Sequence, residues 1–175
     1  MLPKQAVSFK QLREEGVSSK EITALYAGLK LFPTPFKGIY YVPLAEERKG
    51  ELIEKPLKVL SQAVGLFLET KDFYFSCRTA EEALGISWRP SGSVHLVNTK
   101  LSRKIDLKSR TARNKNKENW RSKKIARLLS FYGNEIVFHK TKSFRKAKIR
   151  QTPYGRFATK QQIRIDRTRF GCNCF

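Results

Sequence analysis

The stretch GVSSKEITALYAGLKLFPTPFKGIYYVP, residues 16–43, decides the expected fold of the N-terminal part of the chain. Ile22, Leu25 and Tyr26 recur at helical spacing between a pair of serines and Gly28. Serine is a favoured N-cap and glycine a favoured helix terminator. The stretch therefore predicts a short, well-bounded helix.

Residues on either side of this helix complete a recognisable order of elements. Phe9 and Leu12 predict a shorter helix before it, and a Pro-Thr-Pro turn separates two apolar segments, 29–32 and 38–42, after it. Two helices followed by strand, turn and strand predict a winged helix-turn-helix over residues 1–43, whose second helix enters the DNA major groove. Base reading is then expected from Ser19, Lys20 and Thr23, and backbone contact from Lys37 on the wing. A small helical cap packed on the rest of the chain would show the same pattern.

The rest of the chain predicts a linker over 44–56, which is polar and acidic and could also form a charged connecting helix. Residues 57–175 predict a mixed α/β domain, so the fold class is α/β in content, of the α+β type. Its elements are a core helix over 57–68, strands at 73–75, 94–97, 135–139 and 161–165, and a helix over 120–132.

The charge of the chain is strongly positive and unevenly distributed. The 175 residues include 36 Lys and Arg against 15 Asp and Glu, a net charge of +21. Residues 1–95 hold 13 basic and 11 acidic side chains, whereas residues 96–175 hold 23 and 4. Such an excess predicts a polyphosphate partner, because each neutralised phosphate releases condensed counterions. No apolar stretch approaches the roughly 18 residues of a membrane span, so a membrane partner is not expected.

The densest part of this charge lies at residues 100–127, with 12 Lys and Arg against Asp106 and Glu118. Residues 109–119 contain no apolar side chain beyond Ala112, which predicts an exposed basic arm running into the helix that begins near residue 120. The residues expected to anchor phosphates are Arg103, Lys104, Lys108, Arg110, Arg113, Lys115 and Lys117 in the arm, and Arg121, Lys123 and Lys124 in the helix.

Three segments resemble the AbiEi-type antitoxin family. Residues 16–43 are similar to its winged-helix segment, residues 73–86 (FYFSCRTAEEALGI) to a strand–Ser–helix–Gly unit that opens its second domain, and residues 93–98 (SVHLVN) to the following strand. The resemblance implies a transcriptional repressor that binds double-stranded operator DNA and opposes a nucleotidyltransferase-like toxin. Palindromic operators would also imply a homodimer. The basic arm is longer than in the family, which indicates that the C-terminal domain itself binds nucleic acid.

A metal-dependent nuclease is the enzymatic alternative. Asp106-Leu107-Lys108 has the acid-x-Lys spacing of such enzymes, and Glu69, Asp72, Glu135 or Asp166 could complete a site. In a lysine-rich chain this spacing also arises by chance. No Gly-rich phosphate loop occurs, and Cys77 follows an aromatic strand and is interpreted as a core residue. The chain is therefore predicted to be no enzyme and to need no cofactor.

RNA binding is the non-enzymatic alternative, because basic segments with interleaved aromatic residues stack on unpaired bases. The candidate stacking residues are Trp120, Phe144, Tyr154 and Phe157, whereas Tyr132 and Phe138 are interpreted as core.

The three cysteines, Cys77, Cys172 and Cys174, include no CxxC pair, and their odd number favours a reducing compartment. The two histidines, His95 and His139, are distant in sequence from the Cys172-Asn173-Cys174 tail, so no metal site is predicted. Residues 1–4 lack the apolar core of a secretory signal. A cytoplasmic, nucleoid-associated protein is expected.

Overall fold

A computed structural model describes residues 5–172 of the chain. Within them the fold is mixed α/β, as predicted, with eight α-helices and two β-sheets. The helices are α1 (Phe9–Glu14), α2 (Ser19–Ala27), α3 (Ala45–Gly50), α4 (Pro56–Leu68), α5 (Cys77–Ala83), α6 (Leu107–Lys115), α7 (Trp120–Ser130) and α8 (Lys160–Phe170). The strands are β1 (Ala6–Ser8), β2 (Phe32–Pro33), β3 (Ile39–Tyr41), β4 (Phe73–Phe75), β5 (Ser93–Asn98), β6 (Arg103–Asp106), β7 (Glu135–Lys140), β8 (Ile149–Thr152) and β9 (Gly155–Ala158).

The chain divides into two compact units, each built from two segments. The first comprises residues 1–69 and 108–132, and the second comprises residues 70–107 and 133–175. This division differs from the predicted boundaries of 1–43, 44–56 and 57–175. The difference arises because α4 packs on β1 and β3, and because α7 contacts β2, so both helices belong with the N-terminal elements.

The first unit is organised on an antiparallel sheet with the strand order β1-β3-β2. Four residues, 15–18, join α1 to α2, and Gly16 adopts a φ of +85°, which favours glycine. Leu12 of α1 and Ile22 of α2 are buried together with Val7 and Leu31. The predicted order of helix, helix, strand, turn and strand is therefore present, with one additional strand, β1, before it.

The predicted linker contains α3, the charged helix that was its second interpretation. Glu47 of α3 is fully buried, and its carboxylate accepts hydrogen bonds from the Tyr41 hydroxyl at 2.6 Å, from the Leu44 N–H and from the Glu54 N–H. These bonds fix the segment to β3, so it is a structural part of the first unit.

The second unit is built on a six-stranded sheet with the order β6-β7-β5-β4-β9-β8. The β5–β7 and β4–β9 pairs are parallel, and the other pairs are antiparallel. Helices α5 and α8 pack together, and both contact β9. The predicted strands at 73–75, 94–97 and 135–139 are confirmed as β4, β5 and β7.

The predicted exposed arm is wrong in part, because residues 103–115 form β6 and α6. Strand β6 pairs antiparallel with β7, and Leu107 is fully buried while its N–H donates to the Asn134 carbonyl at 2.8 Å. Lys, Arg and Ala are good helix formers, and the buried residues Leu107 and Thr111 lie one turn apart on α6. Except at Thr111, the absence of apolar residues indicated the lack of burial, but it did not indicate the backbone conformation.

The predicted strand at 161–165 is also wrong, since these residues lie in α8. The Thr159 side chain accepts from the Gln162 N–H and caps the helix. A strand would place Ile163 and Ile165 on one face, yet Ile163 is 2% exposed and Ile165 is 49% exposed. The buried positions instead follow helical spacing, with Asp166 three residues after Ile163.

No helix within residues 5–172 is long and apolar enough to cross a membrane.

Candidate nucleic-acid interface and a cysteine–histidine cluster

The N-terminal end of α2 presents a polar surface. Ser18 and Glu21 form a capping box, in which the Ser18 N–H donates to Glu21 Oε2 at 2.7 Å and the Glu21 N–H donates to Ser18 Oγ. These hydrogen bonds hold the pKa of Glu21 below its usual value. The predicted base-reading residues Ser19, Lys20 and Thr23 are all exposed. The capped helix thus holds three polar side chains on a fixed scaffold.

Lys37, the predicted wing residue, is exposed in the turn between β2 and β3. The buried Thr34 hydroxyl braces this turn by donating to the Ile39 carbonyl at 2.7 Å. Arg110 of α6 donates to the Pro35 carbonyl at 2.6 Å. The hairpin is therefore fixed from within and also held by α6.

Helices α6 and α7 carry the densest positive charge of the first unit. Residues 108–127 contain nine Lys and Arg and only one acidic residue, Glu118. The predicted phosphate contacts that are exposed there are Lys108, Arg113, Lys115, Lys117 and Lys123. We refer to these five residues as the basic row. This excess of exposed positive charge favours binding of an anion.

Three other predicted phosphate contacts are engaged within the first unit. Arg110 donates to Pro35, the guanidinium of Arg121 lies over the Tyr26 ring at 5.3 Å, and Lys124 pairs with Glu51. Lys124 Nζ also lies 5.0 Å from the centroid of the Trp120 ring. These contacts attach α6 and α7 to α2, α3 and the hairpin, so these side chains act first as packing groups.

The remaining predicted contacts, Arg103 and Lys104, belong to the second unit. Arg103 is exposed on β6, whereas Lys104 pairs with Glu135 on β7. The hydrogen bond between Lys104 and Glu135 raises the pKa of the lysine and lowers that of the glutamate. The structure therefore does not place these two residues in the same compact unit as the basic row.

Both compact units are strongly basic. The first contains 19 Lys and Arg against 9 Asp and Glu, and the second contains 17 against 6, which gives net charges of +10 and +11. The positive charge that the sequence concentrates after residue 95 is thus divided between the two units, because the segment 108–132 belongs to the first unit together with the N-terminal residues.

The candidate stacking residues have different environments. Phe157 is 1% exposed and stacks on Phe75 in the core, so it is not a base-stacking residue. Tyr132 and Phe138 are buried, as predicted. Trp120 and Tyr154 are 61% and 45% exposed. Phe144 is half-buried, with its ring centroid 5.8 Å from that of Tyr74. Trp120 and Tyr154 are therefore the exposed members of the predicted set.

The candidate nuclease carboxylates are only partly brought together. Asp106 and Glu135 are partners across the β6–β7 ladder, but Glu135 is already paired with Lys104 and accepts from the Ser93 hydroxyl at 2.8 Å. Asp166 is 2% exposed in a polar network of its own. Glu69 belongs to the first unit.

Asp166 is expected to stabilise the fold. Its carboxylate accepts from the Ser76 hydroxyl at 2.6 Å, the Gln162 amide at 2.8 Å and the Tyr74 hydroxyl at 3.3 Å. Asp166→Ala leaves three buried donors without this acceptor and should lower the free energy of unfolding by about 3 kcal/mol. Urea unfolding followed by circular dichroism measures the loss. The exposed Arg164→Ala on the same helix should change it by less than about 0.5 kcal/mol, and equal effects of the two variants would contradict the assigned role.

A cluster of two cysteines and two histidines lies in the second unit. Cys77 begins α5 directly after β4, His95 lies on β5, His139 on β7, and Cys172 follows α8. One potential ligand atom from each residue lies within 4.8 Å of the other three. Cys77 and Cys172 form a disulfide, and His95 Nδ1 lies 3.1 Å from His139 Nε2.

The fold explains how residues so distant in sequence meet. In the parallel β5–β7 pair, His139 lies opposite Val97, two residues beyond His95, so both imidazoles project from the same face of the sheet. The Ser76 N–H donates to the His95 carbonyl at 3.0 Å, which brings Cys77 beside β5. Burial lowers the pKa of both histidines, that of His139 to about 4.

The sequence did not predict this cluster, because the two histidines are far along the chain from Cys172. The interpretation of Cys77 as buried is confirmed, but Cys172 is a buried, bonded residue and not part of a plain tail, while Asn173 and Cys174 lie outside the described residues. One feature of the sequence could have indicated it. The two histidines of the sequence lie in the predicted strands 94–97 and 135–139, and the predicted strand before these two, 73–75, ends just before Cys77.

Comparison of the chain with models of known protein families, with curated protein sequences and with solved structures gives no match.

Proposed function

We propose that the chain is a DNA-binding transcriptional repressor of the AbiEi type, without catalytic activity. The observation that carries this proposal is that the exposed polar end of α2 and the basic row belong to one compact unit. A base-reading surface and a phosphate-binding surface are the two parts that a sequence-selective DNA-binding protein needs.

The arrangement of the first unit supports a winged helix-turn-helix. The turn between α1 and α2 has four residues and contains Gly16, as is common in helix-turn-helix units. The β2–β3 hairpin follows directly and carries Lys37 in its turn, where a wing contacts the DNA backbone. In this proposal α2 enters the major groove, and Ser19, Lys20 and Thr23 contact base edges. The proposal also includes a nucleotidyltransferase-like toxin as a partner, a homodimer as the binding form and a nucleoid location.

Competition binding tests the choice of nucleic acid. Fluorescently labelled duplex DNA is bound to the full chain and challenged with unlabelled duplex DNA, single-stranded DNA or structured RNA of equal length. We expect duplex DNA to compete best, because a recognition helix fits the major groove of B-DNA, whereas the deep and narrow major groove of RNA does not admit side chains. If structured RNA competes best, RNA binding replaces DNA binding as the function.

The absence of nuclease activity is a separate prediction. Duplex DNA or RNA incubated with the full chain and Mg²⁺ or Mn²⁺ should remain intact on a denaturing gel, since Glu135 is engaged by Lys104 and Ser93. Cleavage that disappears in both Asp106→Ala and Glu135→Ala, but persists in the exposed Glu15→Ala, which belongs to no candidate site, would establish the nuclease instead.

A further inference from the structure

The four residues of the cysteine–histidine cluster are those that proteins use to hold zinc. Structural zinc sites are four-coordinate and tetrahedral, and two thiolates with two imidazoles are a common ligand set. We propose that Cys77, His95, His139 and Cys172 bind one Zn²⁺ when the two cysteines are reduced.

The spacing of the potential ligand atoms fits a single ion. Two nitrogens bound at about 2.0–2.1 Å in tetrahedral geometry lie about 3.3 Å apart. The facing nitrogens of His95 and His139 are separated by 3.1 Å. All four ligand atoms lie within 4.8 Å of one another, and the Cα atoms of the two cysteines are 6.3 Å apart. Breaking the disulfide and rotating the cysteine side chains is therefore enough to surround an ion.

A disulfide alone does not account for the two histidines. A disulfide requires only its two cysteines, yet a ring nitrogen of each histidine lies within 4.8 Å of both sulfur atoms. The ring of His139 is further held by stacking on Phe170 at 4.6 Å, close to the end of α8 that leads to Cys172. Imidazoles fixed in this way are arranged as metal ligands are arranged.

The chemistry links the disulfide and the zinc site as two states of the same residues. Two equivalents of a thiol reductant give two electrons and two protons to the disulfide, which becomes two cysteine thiols while the reductant forms its own disulfide. Binding of Zn²⁺ then displaces the two thiol protons into solvent, and the neutral imidazoles bind without losing a proton. Either cross-link joins the start of α5 to the end of α8, across a sequence separation of 95 residues.

The site has a structural role in this proposal. Four protein ligands leave no open position for a water molecule or substrate, which distinguishes structural zinc from catalytic zinc. The ion would join α5, β5, β7 and the end of α8 within the second unit. This inference goes beyond DNA binding and does not depend on it.

The test uses the full chain, reduced with a phosphine and freed of metal by a chelator. Titration with Co²⁺ should give the visible bands of tetrahedral cobalt and a thiolate-to-cobalt charge-transfer band, both saturating at one equivalent, and Zn²⁺ should displace the cobalt. X-ray absorption of the zinc-loaded chain should show two sulfur atoms at about 2.3 Å and two nitrogen atoms at about 2.0–2.1 Å. The oxidised chain should bind neither metal until it is reduced.

Variants identify the ligands. Cys172→Ser and His139→Ala should abolish stoichiometric cobalt binding, whereas Cys174→Ser, which removes the third cysteine of the sequence, should leave it unchanged. Circular dichroism reports whether each variant is folded, and the absorption measurement on the unaltered chain decides the proposal if a variant does not fold. The proposal is overturned if the reduced chain binds no metal, if the ligands are not two sulfurs and two nitrogens, or if Cys174→Ser also abolishes binding.

Discussion

Replacing Arg113, Lys115, Lys117 and Lys123 of the basic row by alanine should weaken binding to every DNA duplex and reduce its dependence on salt. For an interface that neutralises about 6–10 phosphates, the logarithm of the binding constant falls against the logarithm of salt concentration with a slope of roughly −5 to −9. Removing four phosphate contacts should flatten this slope by about 3–4. Between 50 and 200 mM salt, the unaltered chain should therefore lose roughly 100-fold more affinity than the variant.

The choice of residues follows from the structure. Arg110 is left in place because its guanidinium donates to the Pro35 carbonyl, so its loss would disturb the hairpin as well as the charge. Lys124 is left because it pairs with Glu51. The four substituted side chains are exposed, so their replacement should cost little stability.

A charge-matched control separates a local surface from total charge. Lys10, Lys49, Lys55 and Lys58 are exposed residues of the same unit outside α6 and α7, and replacing all four by alanine removes the same charge. Fluorescence anisotropy over a series of salt concentrations gives both slopes. Equal flattening in the two variants would mean that net charge, and not the basic row, binds the phosphates.

The elements that sequence analysis predicted correctly are those with an apolar pattern of their own. Helix α4 buries side chains at helical spacing and β7 at alternate positions, whereas β4 is a short apolar segment buried at all three residues. Helix α6 has no such period, and the hydrogen bond from Arg110 to the Pro35 carbonyl joins residues 75 positions apart, which the local sequence does not encode. In α8 the spacing of Ile163 and Ile165 is that of a strand with one apolar face. The helix is indicated instead by the cap at Thr159 and by the burial of Asp166.

The candidate sites also differ in whether the local sequence determines them. The exposed polar residues of α2 were predictable because a capped helix fixes its own surface. The cysteine–histidine cluster was not, since it depends on the register between β5 and β7 and on the direction in which α8 returns to β4. Those long-range pairings set which distant residues meet.

Replacing Lys20 and Thr23 by alanine should remove preference for a cognate duplex while leaving non-specific affinity almost unchanged. The N-terminal end of α2 has Lys20 against Glu21, so it contributes little net attraction to phosphates. Its contribution is hydrogen bonding to base edges, where a good contact gives about 1–3 kcal/mol of discrimination. The Thr23 hydroxyl donates to the Ser19 carbonyl at 2.9 Å, which leaves its oxygen able to accept from a base.

The measurement is the ratio of dissociation constants for a duplex selected from a random pool and for its scrambled sequence. Lys160→Ala with Thr168→Ala on α8 is the matched control, because both side chains are exposed and the Thr168 hydroxyl makes the same bond to a carbonyl four residues earlier. The control should keep the ratio of the unaltered chain, and the α2 variant should bring it close to one. Because the basic row has many charges but few groups arranged to read bases, its variant should weaken both duplexes alike and leave the ratio unchanged. If the α2 variant keeps its preference and the basic-row variant loses it, α2 is not the reader, and sequence is recognised through α6 and α7.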